Sequence, residues 1–464
     1  MRLLFSLMTM TSVGFASSVS AQPNEAVRLT ENFGKDTQYY VSCQVEIAGI
    51  LTLPATGKDT NPHPLKVSGK SAIKYDERIL RLSADRKVDR TVRYYRQLEF
   101  DRKVGEEEQH SKLRPEVHRL VIMRHHQYEV PFCPSGPLTW GEIELVRTDV
   151  FAPALQGLFP EKPVRVGERW KADHTAIQEL TDLEKIEKAD FVCTLEKITT
   201  LLGRRHAQVQ FEGKVHGVGE DGNAAHELRG SYYVDLDASF LSYVYVKGTH
   251  HLVDKSGKTT GKIEGTFVMT RSPSPQTKEV GDEALRGITL EPNADNTLLL
   301  FEHPQVGARF VYPRNWRIAG FNAKQIGIDE NRGSGVLITL APAAQTPTGA
   351  QFHQETLQFL TRQQAKFFRE EKPRTLPDGL ETFAFEAEVA KERVILQYYT
   401  TRQGNEGATL TARILPASMG EAQRDVERIA KSLQLRGVKK GACLMRAIAV
   451  GWDSGPVLLG AMMT

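Results

Sequence analysis

The chain has little cysteine. Its four residues, Cys43, Cys133, Cys193 and Cys443, stand far apart and form no C-x-x-C pair, so zinc ribbons and thioredoxin-type redox motifs have no local support. It also lacks the short catalytic signatures. There is no G-x-S-x-G elbow, no H-E-x-x-H and no glycine-rich phosphate loop, which removes the hydrolase and nucleotide-binding classes that announce themselves by motif. A surplus of one charge sign is missing too. The 60 Lys and Arg are interleaved with 57 Asp and Glu, so the electrostatic footprint of a nucleic-acid binder is absent.

Long apolar runs are confined to the start. Arg2 precedes Leu3, Leu4, Phe5, Leu7, Met8 and Met10, and Val19-Ser20-Ala21 places small residues where a signal peptidase cuts. Residues 1–21 read as a signal peptide cleaved near Ala21. The mature chain reads as exported, periplasmic or extracellular, without a transmembrane segment. Export permits disulfides. Cys43 and Cys193, however, alternate with apolar neighbours in the manner of buried thiols, and spacing alone leaves a long-range bridge open.

What is present is strand periodicity. From Tyr39 to Ser272 apolar residues alternate with polar ones, as in Leu228, Gly230, Tyr232, Val234 and Leu236, then Leu241, Tyr243 and Tyr245, then Ile263, Phe267 and Met269. Turn clusters separate these runs, and a similar set lies between Tyr39 and Phe132. Between the two sets, Thr139 and Glu142 have capping-box spacing at the head of an apolar stripe reaching Leu158, with Pro153 as a kink. Asp173 caps a short helix through Leu180. The expected organisation is α+β: residues 22–272 as a large curved antiparallel sheet covered by helices, 273–296 as a linker, 297–435 as a second α+β domain, and 436–464 as an atypical apolar tail. Tyr232, Tyr243, Tyr245 and Phe267 are the expected ligand-binding residues of the large sheet.

The second domain opens with His303 to Trp316. Pro304 and Gly307 set a turn, Phe310 and Tyr312 alternate as a half-buried strand, Pro313 ends it, and Trp316 anchors it. Thr348 with Gln351 and Ser418 with Glu421 have capping-box spacing. Leu357, Leu360, Phe367 and Phe368 read as one helical face. Strands return at Glu381 to Ala387, Arg393 to Thr401 and Ala408 to Leu415, before a closing helix with Ile429-Ala430-Lys431-Ser432-Leu433. These elements, over Thr297 to Leu435, resemble the PsbP-like fold, which implies an accessory or binding module without catalytic residues. The architecture of residues 22–272 resembles the half-barrel carriers of the LolA type. The connector Lys162 to Trp170 resembles one found in uncharacterised secreted bacterial proteins.

Other residue clusters have bland readings. A metal site among His118, His125 and Glu129 competes with simple sheet-surface placement, because adjacent strand residues point to opposite faces. The function read from sequence is therefore an exported, non-catalytic binding or accessory protein of the cell envelope. Its large sheet would hold a lipid or other apolar ligand, or a segment of an envelope protein partner, with no cofactor. Two alternatives stay open: a hydrolase whose site is invisible in sequence, and a purely structural envelope component.

Overall fold

The computed structural model describes residues 25–53, 63–125, 128–219, 222–254, 259–274 and 277–436. The signal-peptide reading and the tail beyond Arg436 lie outside the described residues. The chain divides into two compact units: residues 1–111, 123–129 and 149–281 form the first, and 112–122, 130–148 and 282–464 the second.

Strands β1 (Gln38–Leu53), β2 (His63–Leu82), β3 (Val88–Val104), β4 (Glu107–Lys112), β5 (Arg119–His125) and β6 (Tyr128–Phe132) come first. A short β7 (Leu138–Thr139) and helix α1 (Trp140–Arg147) follow, then β8 (Arg169–Lys171) and helix α2 (His174–Thr181). The meander β9 (Lys185–Leu201), β10 (Arg204–Gly219), β11 (Gly222–Asp235), β12 (Phe240–Val253) and β13 (Thr259–Pro273) completes the series. Twelve of these strands make one sheet, ordered β6-β5-β3-β2-β1-β13-β12-β11-β10-β9-β8 with β4 beside β3. Strand β1 pairs antiparallel with both β2 and β13, which joins the two strand groups read from the sequence into one sheet. Among the described residues the sheet is open, since β6 and β8 end the order.

The second unit adds α3 (Asp282–Leu285), β14 (Leu299–His303), β15 (Ala308–Tyr312), β16 (Trp316–Phe321), β17 (Gln325–Glu330), β18 (Gly335–Pro342) and α4 (Gly349–Arg362). It ends with β19 (Lys366–Thr375), β20 (Glu381–Val389), β21 (Glu392–Gln403), β22 (Glu406–Ile414), α5 (Met419–Ser432) and β23 (Gln434–Leu435). A seven-stranded sheet runs β16-β17-β18-β22-β21-β20-β19, and a four-stranded sheet runs β23-β15-β14-β7. The opening run behaves as its chemistry requires. Gly307 takes a φ of 71°, Phe310 and Tyr312 are buried, and the buried Trp316 donates its Nε1–H to Asp425 Oδ2 at 2.9 Å. The protein is α+β, mostly antiparallel sheet with five α-helices among the described residues.

Four local expectations change. The stripe from Thr139 to Leu158 is two elements: α1 stops at Arg147, and a 3-10 turn spans Ala152–Leu158. Pro153 lies in the first turn of that second piece, where its missing N–H costs nothing. Residues 130–148, read with the first domain, belong to the second unit, because Leu138 and Thr139 pair in parallel with Leu299 and Leu300. Phe367 and Phe368 are not helical. Helix α4 ends at Arg362, Gln364 turns the chain at a φ of 55°, and both phenylalanines lie on the exposed edge strand β19. Ser418 precedes α5 but does not cap it; its hydroxyl meets Ser334 Oγ at 2.9 Å, and Glu421 binds Arg332.

Candidate functional site

Side chains in register across neighbouring strands share a sheet face. Tyr232 is in register with Val209 and Val244, and the same row continues through Met269, Cys43, Ile73 and Leu98. Every member of this row is buried. Helix α2 and the 3-10 turn lie over this end of the face. Tyr232 donates its hydroxyl to Leu158 O at 2.8 Å and stacks on Phe159 with centroids 5.9 Å apart. The protein's own groups, the Leu158 carbonyl and the Phe159 and Phe211 rings among them, meet Tyr232, which is fully buried.

Phe267 lies farther along the same apolar face, in register with Val246 and Val45, and is half-buried with Val45, Ile47 and Phe100. Here glycines let neighbours lie flat. The side chains of Phe191 and Leu228 come within 2.5 and 2.7 Å of where a Cβ on Gly213 and Gly248 would stand.

Tyr243 and Tyr245 point the other way. Tyr245 is in register with Ser231 and Val268, and Tyr243 with Tyr233 and Thr270. The rings of Tyr233 and Tyr243 meet edge to face at 5.7 Å. Burial raises the Tyr243 hydroxyl above its usual range, with Tyr233 and Tyr245 adding to the effect. The four tyrosine and phenylalanine positions expected in one groove are thus split two and two. The antiparallel register sets Tyr232 opposite Val244, so neighbours one residue on fall on the opposite face.

This second face is polar and open. Charged pairs run across it, including Lys214–Glu227 at 3.0 Å, Lys262–Glu264 at 2.6 Å and Lys70–Glu46 at 3.1 Å. Three depressions of ≈ 780, ≈ 800 and ≈ 650 Å³ lie on it, and Lys247 lines all three. They form one trough from β9 to β4, with Tyr245 in its wall and Gln210, Ser231 and Thr266 as hydrogen-bonding groups.

A second cluster, which the sequence reading missed, is wholly inside the first unit. Arg93 Nε and Nη1 donate to Glu77 Oε1 at 2.8 Å and Asp149 Oδ2 at 2.9 Å, all three fully buried. The guanidinium sits 4.7 Å over the Tyr75 ring. Next to it Arg124 reaches Glu179 at 2.5 Å and Glu129 at 3.7 Å. Burial pushes the Asp149 carboxyl up to about 6 and the Glu129 carboxyl up to about 8, Arg93 opposing the rise in both. Protons retained on Asp149 and Glu129 therefore bring the cluster of four carboxyls and two guanidiniums closer to neutrality. The arrangement ties β2, β3, β5 and β6 to the segment at Asp149. A substrate would need a path to it, and these side chains are all at most 9 % exposed. One signal was available: Ile73, Tyr75, Glu77 and Ile79 share a face, so Glu77 interrupts an otherwise apolar stripe.

Cys43, Cys133 and Cys193 are buried free thiols. Burial raises Cys43, and the neighbouring Asp149, which accepts its S–H, raises it further. Among the described residues no group of three His, Cys, Asp or Glu is placed to hold a metal ion, and none of the helices is long and apolar enough to cross a membrane.

No protein-family model matches the chain, and no curated protein matches it. Among solved structures, the chain is similar to the solution structure of cyanobacterial PsbP (CyanoP) from Synechocystis sp. PCC 6803, at 12% identity and a TM-score of 0.24, over 30% of this chain and 92% of that one. It is also similar to the Saccharomyces cerevisiae Ran-binding protein Mog1p, at 11% identity and a TM-score of 0.24, over 30% of this chain and 95% of that one. A third similarity is to DynF from the dynemicin biosynthesis pathway of Micromonospora chersina, at 6% identity and a TM-score of 0.14, over 57% of this chain and 94% of that one.

Proposed function

We propose that the protein is an exported, non-catalytic binding protein of the cell envelope. The first unit, a half-barrel-like sheet, holds a ligand in the trough on its polar face; the second, PsbP-like in element order, is an accessory module. The observation that carries this reading is the continuity of the trough: three depressions joined at Lys247 across a face on which Tyr245 is only half-buried. A depression in which a few polar groups converge can fix the orientation of a ligand. A second reading, favoured by the half-buried strip Val45, Ile47, Phe100 and Phe267, keeps the ligand apolar and places it on the other face.

Native mass spectrometry of the gently purified protein, followed by separate aqueous and organic extraction, tests both. A bound compound in the aqueous extract, lost when Ser231→Trp fills the trough, is the expected result. A lipid in the organic extract, lost on Phe267→Asp and retained on Ser231→Trp, moves the site to the apolar face. No adduct in any preparation sinks the binding reading.

A further inference from the structure

We infer that the trough is built to receive an acidic oligosaccharide, whose anionic group is clamped between Arg229 and Lys247. This rests on the binding reading above and names the ligand class.

Arg229 and Lys247 stand directly opposite each other on β11 and β12. Like charges in that position repel at short range and destabilise a sheet. The usual remedy is a nearby carboxylate, and three surround the pair. Each is already matched: Glu212 lies 3.9 Å from Arg169, Glu227 is 3.0 Å from Lys214, and Glu264 is 2.6 Å from Lys262. Glu264 is held below its usual range first by Lys262, with Lys247 contributing least. Asp190 lies at the far side of the trough, in register with Lys214. Arg229 and Lys247 form no ion pair among the described residues, although Glu212 stands opposite Arg229 on β10, so the midpoint of the trough carries two adjacent cations without a bonded carboxylate. A carboxylate, sulfate or phosphate placed between them relieves the repulsion, and the planar guanidinium suits bidentate contact.

The surroundings specify the rest of the ligand. Gln210, Ser231, Tyr245 and Thr266 line the trough beside the pair, offering hydroxyl and amide groups to a hydroxyl-rich chain. The trough crosses nine strands, β9 through β4, or about 38 Å at the spacing of neighbouring strands, which is long enough for several sugar rings.

Calorimetry on the full chain at low salt tests this, using uronate, sulfated and neutral hexasaccharides. The expected result is binding of at least one acidic hexasaccharide, about tenfold or more tighter than the neutral one and weakened by added salt. The double variant Arg229→Gln/Lys247→Gln loses it by tenfold or more, while Arg229→Lys/Lys247→Arg retains most of it. A second readout needs no ligand: Lys247→Glu removes the repulsion and raises Tm by about 1–2 °C while abolishing acidic-sugar binding. The inference is overturned if the neutral sugar binds equally well, if the glutamine double variant binds unchanged, or if neither acidic sugar binds. Neutral binding that Ser231→Trp blocks would remove the anion clamp and leave the trough as a binding site. Ligand-free preparations in the mass-spectrometric experiment would remove both.

Discussion

At the scale of single residues, the molecule separates charges that matter from charges that decorate. Arg93 is fully buried between Glu77 and Asp149. Truncating it strands two carboxylates in the interior, so Arg93→Ala should cost about 3–5 kcal/mol in urea unfolding. Lys70→Ala breaks an exposed pair with Glu46 and should shift the midpoint within error; equal losses for the two would contradict the assignment. Glu129 sets a pH dependence. Burial pushes its folded carboxyl up to about 8 from an ordinary 4.5. A raised folded value means the stability is fully present below about pH 4.5 and lost as pH rises toward 8, and Asp149 acts in the same direction up to about 6. Thermal unfolding should therefore show Tm falling from pH 5 to pH 8, by the equivalent of a few kcal/mol. Glu129→Gln should flatten that slope and raise Tm at pH 8; a slope unchanged by the substitution would show that Glu129 does not carry it. Little of this was legible in the sequence. Glu129 was readable only as a possible metal ligand, because the partner that neutralises a charge lies far along the chain: Asp149 is 56 residues from Arg93.

At the scale of elements, local chemistry was readable wherever it was self-contained. The Thr139 and Thr348 capping boxes form as their spacing implies, each with the reciprocal side-chain bond. The same spacing at Ser418 and Glu421 fails because two long-range partners, Ser334 and Arg332, compete successfully for the side chains. Substitutions distinguish the two cases. Thr139→Ala should cost about 1 kcal/mol through loss of a cap. Ser418→Ala should cost a similar amount, but through the buried hydroxyl pair, so a double-mutant cycle with Ser334→Ala should show coupling and one with Glu421→Ala none. Coupling to Glu421 instead would restore the capping box. Face assignment across β11 and β12 was beyond local reading for a related reason. Alternation says which residues of one strand share a face, but only register says which face of the next strand joins them. Tyr232 and Phe267 went to the packed face and Tyr243 and Tyr245 to the open one on that account alone.

At the scale of the whole chain, the class was legible and the segmentation was not. Two strand groups merging through β1 and β13 into one antiparallel sheet follow from periodicity and turns. The return of residues 130–148 to the second unit does not, since a two-residue strand leaves almost no pattern. The consequence is physical. Residues 282–436 expressed alone lack β7 and α1, so β14 loses the pairing of Leu299 and Leu300 with Leu138 and Thr139. Buried Leu299 and Leu300 then face an open edge. Arg314, whose guanidinium is pushed down to about 10 by burial, loses the Pro131 carbonyl that accepts from it and keeps only Thr297 O. An unpaired edge and a half-satisfied buried cation are both destabilising. The fragment should therefore melt at lower temperature than the fragment's own strands do in the intact chain, followed by hydrogen exchange at β14 and β15, and should bind a hydrophobic dye. Adding a peptide of residues 130–148 in trans should recover protection at β14 first, because the missing partner is β7. Full protection of β14 in the fragment alone would mean that the second unit is complete without that segment, and that the boundary lies where the sequence placed it.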